Sequence, residues 1–301
     1  MSRRPPPLAA VAAVTQRLAV LLAAGVNPVS AWGYLEGSAV AERVAASGAD
    51  AAHVAEVVVA ASASLPALEA GGWRGLAAAW SVATDAGAPL APSLRDYAAS
   101  LRSLAQAQRD VQVALAAPVA TARMVLALPA IGVLFGLVLG FDTARTLFAT
   151  PIGWVCLVVG GGLIVLALRW NRRLVRAAQP TAAAPGVECD LMAIAVSGGG
   201  SLAAARLLLD DAVRRFELPV DAGRIDGVLD LSRRAGVPAA ELLRGEADEV
   251  RRTARASAQE KAAALSVRLM LPLGLCVLPA FMVLGVFPLL VAVISSTVAT
   301  F

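Results

Sequence analysis

The sequence predicts an all-α integral membrane protein with two repeated cytoplasmic helical-bundle domains and three transmembrane helices. Three observations carry that expectation. The first is composition: 58% of the 301 residues are hydrophobic and only 16% are charged, with a mean hydropathy of +0.71. That balance lies outside the range of soluble globular chains. The second is a pair of uncharged runs, residues 125–141 (VLALPAIGVLFGLVLGF) and 152–168 (IGWVCLVVGGGLIVLAL), with only a short turn between them. Each approaches the roughly 20 residues that a helix needs to cross a bilayer core. The third is a layout of helix, glycine break and helix that recurs in the two halves of the chain. Much of the remaining apolar content is alanine, the strongest helix former, and β-branched residues gather inside the apolar runs.

Taken in order, the chain opens with a basic, proline-rich stretch, MSRRPPP. Residues 8–24 follow as an amphipathic helix, because Gln16 and Arg17 interrupt the apolar run that a signal peptide would need. Gly25 ends that helix as a left-handed cap, and Asn27-Pro28 starts another, with Asn capping and Pro suited to the first helical position. Residues 37–72 form an Ala-, Ser- and Val-rich insert with short helices. Helix resumes over 73–86 and breaks at Gly87, and Ser93 caps a helix running to Ala116 with one charged face. Beyond the hairpin, residues 179–186 (QPTAAAPG) form a linker. The second helical region breaks at 198–200, Pro219 and Gly236, and a highly charged stretch, 241–264, leads to a third uncharged run, 269–294. That run is expected to be one tilted or kinked span, with a re-entrant hairpin as the alternative. Its three prolines are tolerated better in a spanning helix than in a soluble one. The domain boundaries implied are 8–122, 123–176, 187–266 and 267–295.

Arginines set the expected topology. They precede the first span, cluster at 169–176 (RWNRRLVR) after the second, and precede the third. The hairpin turn holds only Asp142 and Arg145. By the positive-inside rule both helical regions and the N-terminus are cytoplasmic, and the C-terminus lies outside the plasma membrane. The net charge of +4 therefore reflects topology and anionic lipid, and no nucleic-acid partner is expected. The three cysteines are read as free small hydrophobes.

The internal repeat is specific in order. Residues 18–32 (LAVLLAAGVNPVSAW) resemble 192–207 (MAIAVSGGGSLAAARL), and 86–102 (AGAPLAPSLRDYAASLR) resemble 235–251 (AGVPAAELLRGEADEVR). Gly25 lies over Gly199, Gly87 over Gly236, Pro89 over Pro238, Leu94 over Leu243 and Arg95 over Arg244. Each copy then runs through a charged helix into an apolar span. A duplicated helical domain leading into membrane spans, with these glycine turns, the span opening ARMVLALPAIG and the TPIGW that starts the second span, resembles the F-family platform proteins of type II secretion systems and type IV pili. The tight-adherence (Flp) pilus branch is nearest, with the Ala- and Arg-rich composition of actinobacterial members. The resemblance implies an inner-membrane scaffold coupling a hexameric secretion ATPase to extraction and assembly of pilin subunits. Its implied partners are that ATPase, pilins, membrane lipid, and a sister platform protein or a second copy of itself. Two features depart from the family pattern: the glycine-rich Gly198-Gly-Gly-Ser201 and the 37–72 insert.

Enzymatic signals are nearly absent, and neither a catalytic residue nor a cofactor is expected. The single histidine, His53, stands three residues before Glu56 and reads as a helix-surface pair. No clustered Cys or second His supplies metal-ligand spacing, and the 198–201 stretch lacks the lysine of a phosphate loop. Gly132, Gly136 and Gly140 recur at four-residue spacing on one face of the first span, which lets another helix approach closely. Gly160-Gly-Gly162 is the expected complementary surface. Arg251, Arg252 and Arg255 on the second charged helix are the candidate ATPase-docking residues. The alternative function is a subunit of a small-molecule membrane transporter, disfavoured because the expected spans hold no ionisable residue.

Overall fold

The computed structural model describes residues 6–138, 151–177, 185–287 and 290, and every regular element among them is helical. The chain divides into two units: Met1–Arg109 with Pro180–Ser257, and Asp110–Gln179 with Ala258–Phe301.

In the first unit, helix α1 (Pro7–Ala23) begins on a proline and ends before Gly25, whose φ of +85° is open to glycine at no steric cost. Asn27 Oδ1 then accepts from the backbone N–H of Val29 (2.9 Å) and Ser30 (3.4 Å), capping the short α2 (Pro28–Ala31). The 37–72 insert resolves into α3 (Ala39–Ser47), capped by Ser38, and α4 (Val54–Ser62). Helix α5 (Ala67–Asp85) follows Pro66 and starts six residues before the expected boundary at 73, passing uninterrupted through Gly71 and Gly72. Gly72 and Gly75 are positions of close approach rather than breaks: a Cβ on Gly72 would meet Leu8, and one on Gly75 would overlap the Tyr97 phenol.

Helix α5 is the axis of this unit. Trp73, Leu76, Trp80, Val82 and four alanines between Ala77 and Ala83 are buried along it. It packs on α1 and α4, and on α8 (Val187–Ser197) and α9 (Leu202–Phe216) from the C-terminal half. The insert is therefore core: Val40, Val44, Val54 and Val58 are buried, and Trp32 packs against Trp80 with the rings tilted by 54° and their centroids 5.7 Å apart. Residues of both expected cytoplasmic domains share one continuous hydrophobic cluster. Helix α10 (Ala222–Ala235) is capped by Asp221 and ends at Gly236, with φ +67°.

Two long helices begin in this unit. Helix α6 (Leu90–Val138) starts after Gly87 and continues through Pro118 and Pro129, without the expected end at Ala116. Ser93 is not its cap; its hydroxyl lies inside the first turn and donates to the Pro89 carbonyl at 2.9 Å. Helix α11 (Ala239–Arg268) begins in the same way after Gly236.

The second unit contains the remainder of α6, α7 (Pro151–Ala177) and the end of α11. After Arg268 the helical path continues as Met270–Pro272, a π segment Leu273–Val277, Leu278–Phe281 and a second π segment Met282–Val286. Pro272 and Pro279 cannot donate to the helical ladder, and the ladder widens beside them. Ala167 packs with Cys276 and Val277, and the Leu284 side chain occupies the space a Cβ on Gly160 would need. Gly160 thus receives the last apolar segment, while Gly161 and Gly162 face open space. Trp154, Val155, Val158, Leu166, Leu271 and Leu275 point outward, an apolar exterior suited to lipid.

Two described stretches, Gly153–Val175 and Ala239–Val286, are long and apolar enough to cross a membrane by length and composition. Of the other expected span, 125–141, residues 139–141 lie outside the described residues, as do the hairpin turn 142–150 and Gly140.

Candidate functional site

Helix α8 reads VECDLMAIAVS, an apolar helix opened by two acids, and residues Val187 to Ala195 are all buried. Such acids need partners, and each has one. Asp190 Oδ2 accepts from Arg251 Nη1 at 2.8 Å and from Ser100 Oγ at 3.0 Å. The same guanidinium donates through Nη2 to Asp248 Oδ1 at 2.6 Å, one turn earlier on α11. Three helices, α6, α8 and α11, thus meet on a single charge. Around them lies a cavity of about 180 Å³ that Asp96 and Arg244 also line, themselves paired at 3.0 Å. Burial is the dominant influence on Asp190 and pushes its carboxyl up to about 6, against the opposing pull of Arg251 and Ser100. Burial also acts against the charge on Arg251, but Asp190 and Asp248 outweigh it and hold the guanidinium more firmly protonated.

The second acid, Glu188, pairs with Arg224 at 3.4 Å, and Arg224 also reaches Asp221 at 3.2 Å and Glu246 at 3.7 Å. Burial raises the Glu188 carboxyl. Between the two acids, burial and then Glu188 push the Cys189 thiol up to about 12, which keeps it an unreactive core residue. Tyr97 lies beneath this layer, donating to the Gly72 carbonyl at 3.0 Å, and burial raises its phenol too.

This geometry corrects part of the sequence reading. Arg251 is not available for docking: its side chain is 7% exposed and held between two carboxylates. Arg252, 70% exposed and paired with Glu249 at 2.9 Å, and Arg255, also exposed, remain on the surface. His53 pairs with Asp50 at 2.6 Å, not with Glu56, whose carboxylate meets Arg215. The hydrogen bond from His53 lowers the Asp50 carboxyl. The repeat turns Gly25, Gly87, Gly199 and Gly236 have φ of +85°, +68°, +82° and +67°. Gly132 and Gly136 lie within α6. Among the described residues no group of His, Cys, Asp and Glu is arranged to hold a metal ion. Asp190 and Ser100 were missed from sequence; the one signal was two acids opening an otherwise apolar helix.

Comparison with curated proteins and with solved structures found no match. The family model that does match, over residues 14–138, is Type II secretion system (T2SS), protein F. It spans α1 to the described end of α6, and so includes the insert helices and the residues that meet Asp190 from α6. Residues 14–138 of this chain are a domain of the type II secretion system protein F family.

Proposed function

We propose that this protein is the inner-membrane platform of a type II secretion or tight-adherence pilus machine, coupling a cytoplasmic secretion ATPase to the extraction and assembly of pilins. The family domain carries the reading. Three spans, two repeated cytoplasmic domains, a cytoplasmic N-terminus and an outside C-terminus belong to the same proposal. The repeat is supported by matched burial: Leu94 and Ala98 are buried as Leu243 and Ala247 are, and Leu18 and Ala19 as Met192 and Ala193 are. Both α6 and α11 leave the first unit and continue toward apolar sequence. Within that unit the two helices are tied together through Ser100, Asp190 and Arg251.

The mechanism is mechanical and no bond is made or broken by this chain. The Gly132, Gly136 and Gly140 face serves helix packing in the membrane, and Arg252 and Arg255 offer exposed charge to the ATPase. The test is reconstitution of the full chain in nanodiscs with the purified secretion ATPase of the same cell. Co-sedimentation and a change in ATP hydrolysis rate are expected; neither, with nucleotide present, would sink the proposal.

A further inference from the structure

Two arginines at matched positions of the repeat meet different surroundings. The register that sets Gly87 over Gly236 also sets Arg102 over Arg251, and the register of Gly25 over Gly199 sets Gln16 over Asp190. The structure joins the same two positions in each copy. Arg102 Nη2 donates to Gln16 Oε1 at 3.1 Å, and Arg251 Nη1 to Asp190 Oδ2 at 2.8 Å. In the second copy an acid neutralises the arginine. In the first an amide orients the guanidinium, helped by a bond from Nε to the Ala98 carbonyl at 3.3 Å, and leaves its charge uncompensated.

The first-copy pair lies in a groove of about 570 Å³ between α1 and α6, floored by alanines and rimmed by Arg17, Arg102 and Arg109. Among the described residues no carboxylate lines it. Ten other arginines of the same unit make ion pairs; among the described residues these three make none, nor do Arg43 and Arg95, which do not line the groove, so what sets the three apart is that they gather in one place. An unneutralised basic groove with a small-residue floor fits the acidic face of a helix, which the alanines admit closely and the guanidiniums bind through charge-assisted bonds. Lipid headgroups fit less well. Twenty-one residues of α6, about 30 Å of helix, separate Arg102 from Arg123 at the edge of the apolar run, several Debye lengths at physiological salt.

We propose that the α1–α6 groove docks an acidic helix of the cytoplasmic ATPase, whose carboxylate supplies to Arg102 the counter-charge that Asp190 supplies to Arg251. This rests on the platform reading above. The sharpest test is Gln16→Glu, a near-isosteric change that places the missing acid inside the groove. Full-length protein in phosphatidylcholine nanodiscs is titrated with the purified ATPase, alongside Arg102→Glu and the control Arg214→Glu. Gln16→Glu and Arg102→Glu should each weaken binding roughly tenfold or more, while Arg214→Glu, at an exposed position paired only with Asp211, changes it less than about twofold. Gln16→Glu should melt no lower than wild type, separating occupied charge from misfolding. Equal affinity in wild type, Gln16→Glu and Arg102→Glu would overturn the dock and leave the platform reading standing. Failure of the wild type to bind at all overturns the platform reading itself. Binding that appears only with phosphatidylglycerol in the nanodisc assigns the groove to lipid. A wild-type dimer that Gln16→Glu dissociates without ATPase assigns it to a second copy. Both of these results overturn the proposal.

Discussion

Replacing Arg251 with alanine removes the buried cation on which α6, α8 and α11 converge, leaving Arg244, which joins the same helices from a more exposed position through Asp96 and Ser197. The Asp190 carboxylate is then buried with only the Ser100 hydroxyl as a protein donor, and Asp248 loses its partner at the rim. Breaking a buried ion pair by deleting one member costs about 3–5 kcal/mol. For a unit of this size that is a fall in Tm on the order of 10 °C. The neighbouring Arg252→Ala, which removes only an exposed pair with Glu249, should cost within about 0.5 kcal/mol. Urea unfolding in detergent at pH 7.5, followed by tryptophan fluorescence, reads the difference, because Trp32, Trp73 and Trp80 are buried in this unit's core. A cycle with Asp190→Asn should give a coupling energy of about 0.5–3 kcal/mol. Should Arg251→Ala melt with Arg252→Ala, the buried pair does not hold these helices together. The same reasoning governs docking experiments: a reversal at Arg251 that abolishes ATPase binding reports a damaged fold, and only reversals at exposed positions report an interface.

Three further outcomes are expected. With Asp190 held up at about 6 against roughly 4 in the unfolded chain, the folded state keeps a proton that the unfolded state releases. Stability should therefore fall as pH rises from 4 to 6, by about 3 kcal/mol from this group. Asp190→Asn should reduce that slope to the part contributed by Glu188, whose carboxyl burial also raises, and an unchanged slope would assign it to other groups. Gly75→Ala places a Cβ on the Tyr97 phenol, and the forced displacement should cost about 1–3 kcal/mol by urea unfolding, whereas an unchanged midpoint would show that Tyr97 moves freely. In the second unit Gly160→Ala collides with Leu284, while Gly161→Ala meets nothing. Only the former should lower resistance of the detergent-solubilised protein to heat and trypsin, and equal resistance would mean that α7 and the Met282–Val286 segment do not pack closely.

Glycine made much of this fold legible. Gly25, Gly87, Gly199 and Gly236 stand between helical patterns and all take φ values that side chains resist. Gly72 and Gly75 carry the same letter and act differently. They lie inside α5, where the missing side chain admits Leu8 and, at Gly75, Tyr97. A glycine that turns the chain and one that lets a neighbour in are distinguished by what stands opposite, and that comes from helices more than 20 residues away in sequence. The insert was opaque for the same reason. Its short helices carry too few apolar positions to show a face, and they became core by packing on α5 and Trp32.

Arginine was harder to read because neighbours on one helix face opposite ways. Arg251 and Arg252 are adjacent, yet one is buried and the other exposed; the difference is set by α8, whose acid lies 61 residues earlier. Here the proposed repeat register carries information that local pattern lacks. Once Gly25 is laid over Gly199 and Gly87 over Gly236, the Asp190–Arg251 contact specifies where to look in the first half of the chain, and Gln16–Arg102 is found there. Two contacts between the same kinds of helix position, one with a carboxylate and one with an amide, make a buried clamp at Asp190–Arg251 and an open positive groove at Gln16–Arg102. One carboxylate-to-amide difference is enough to turn such a pair outward.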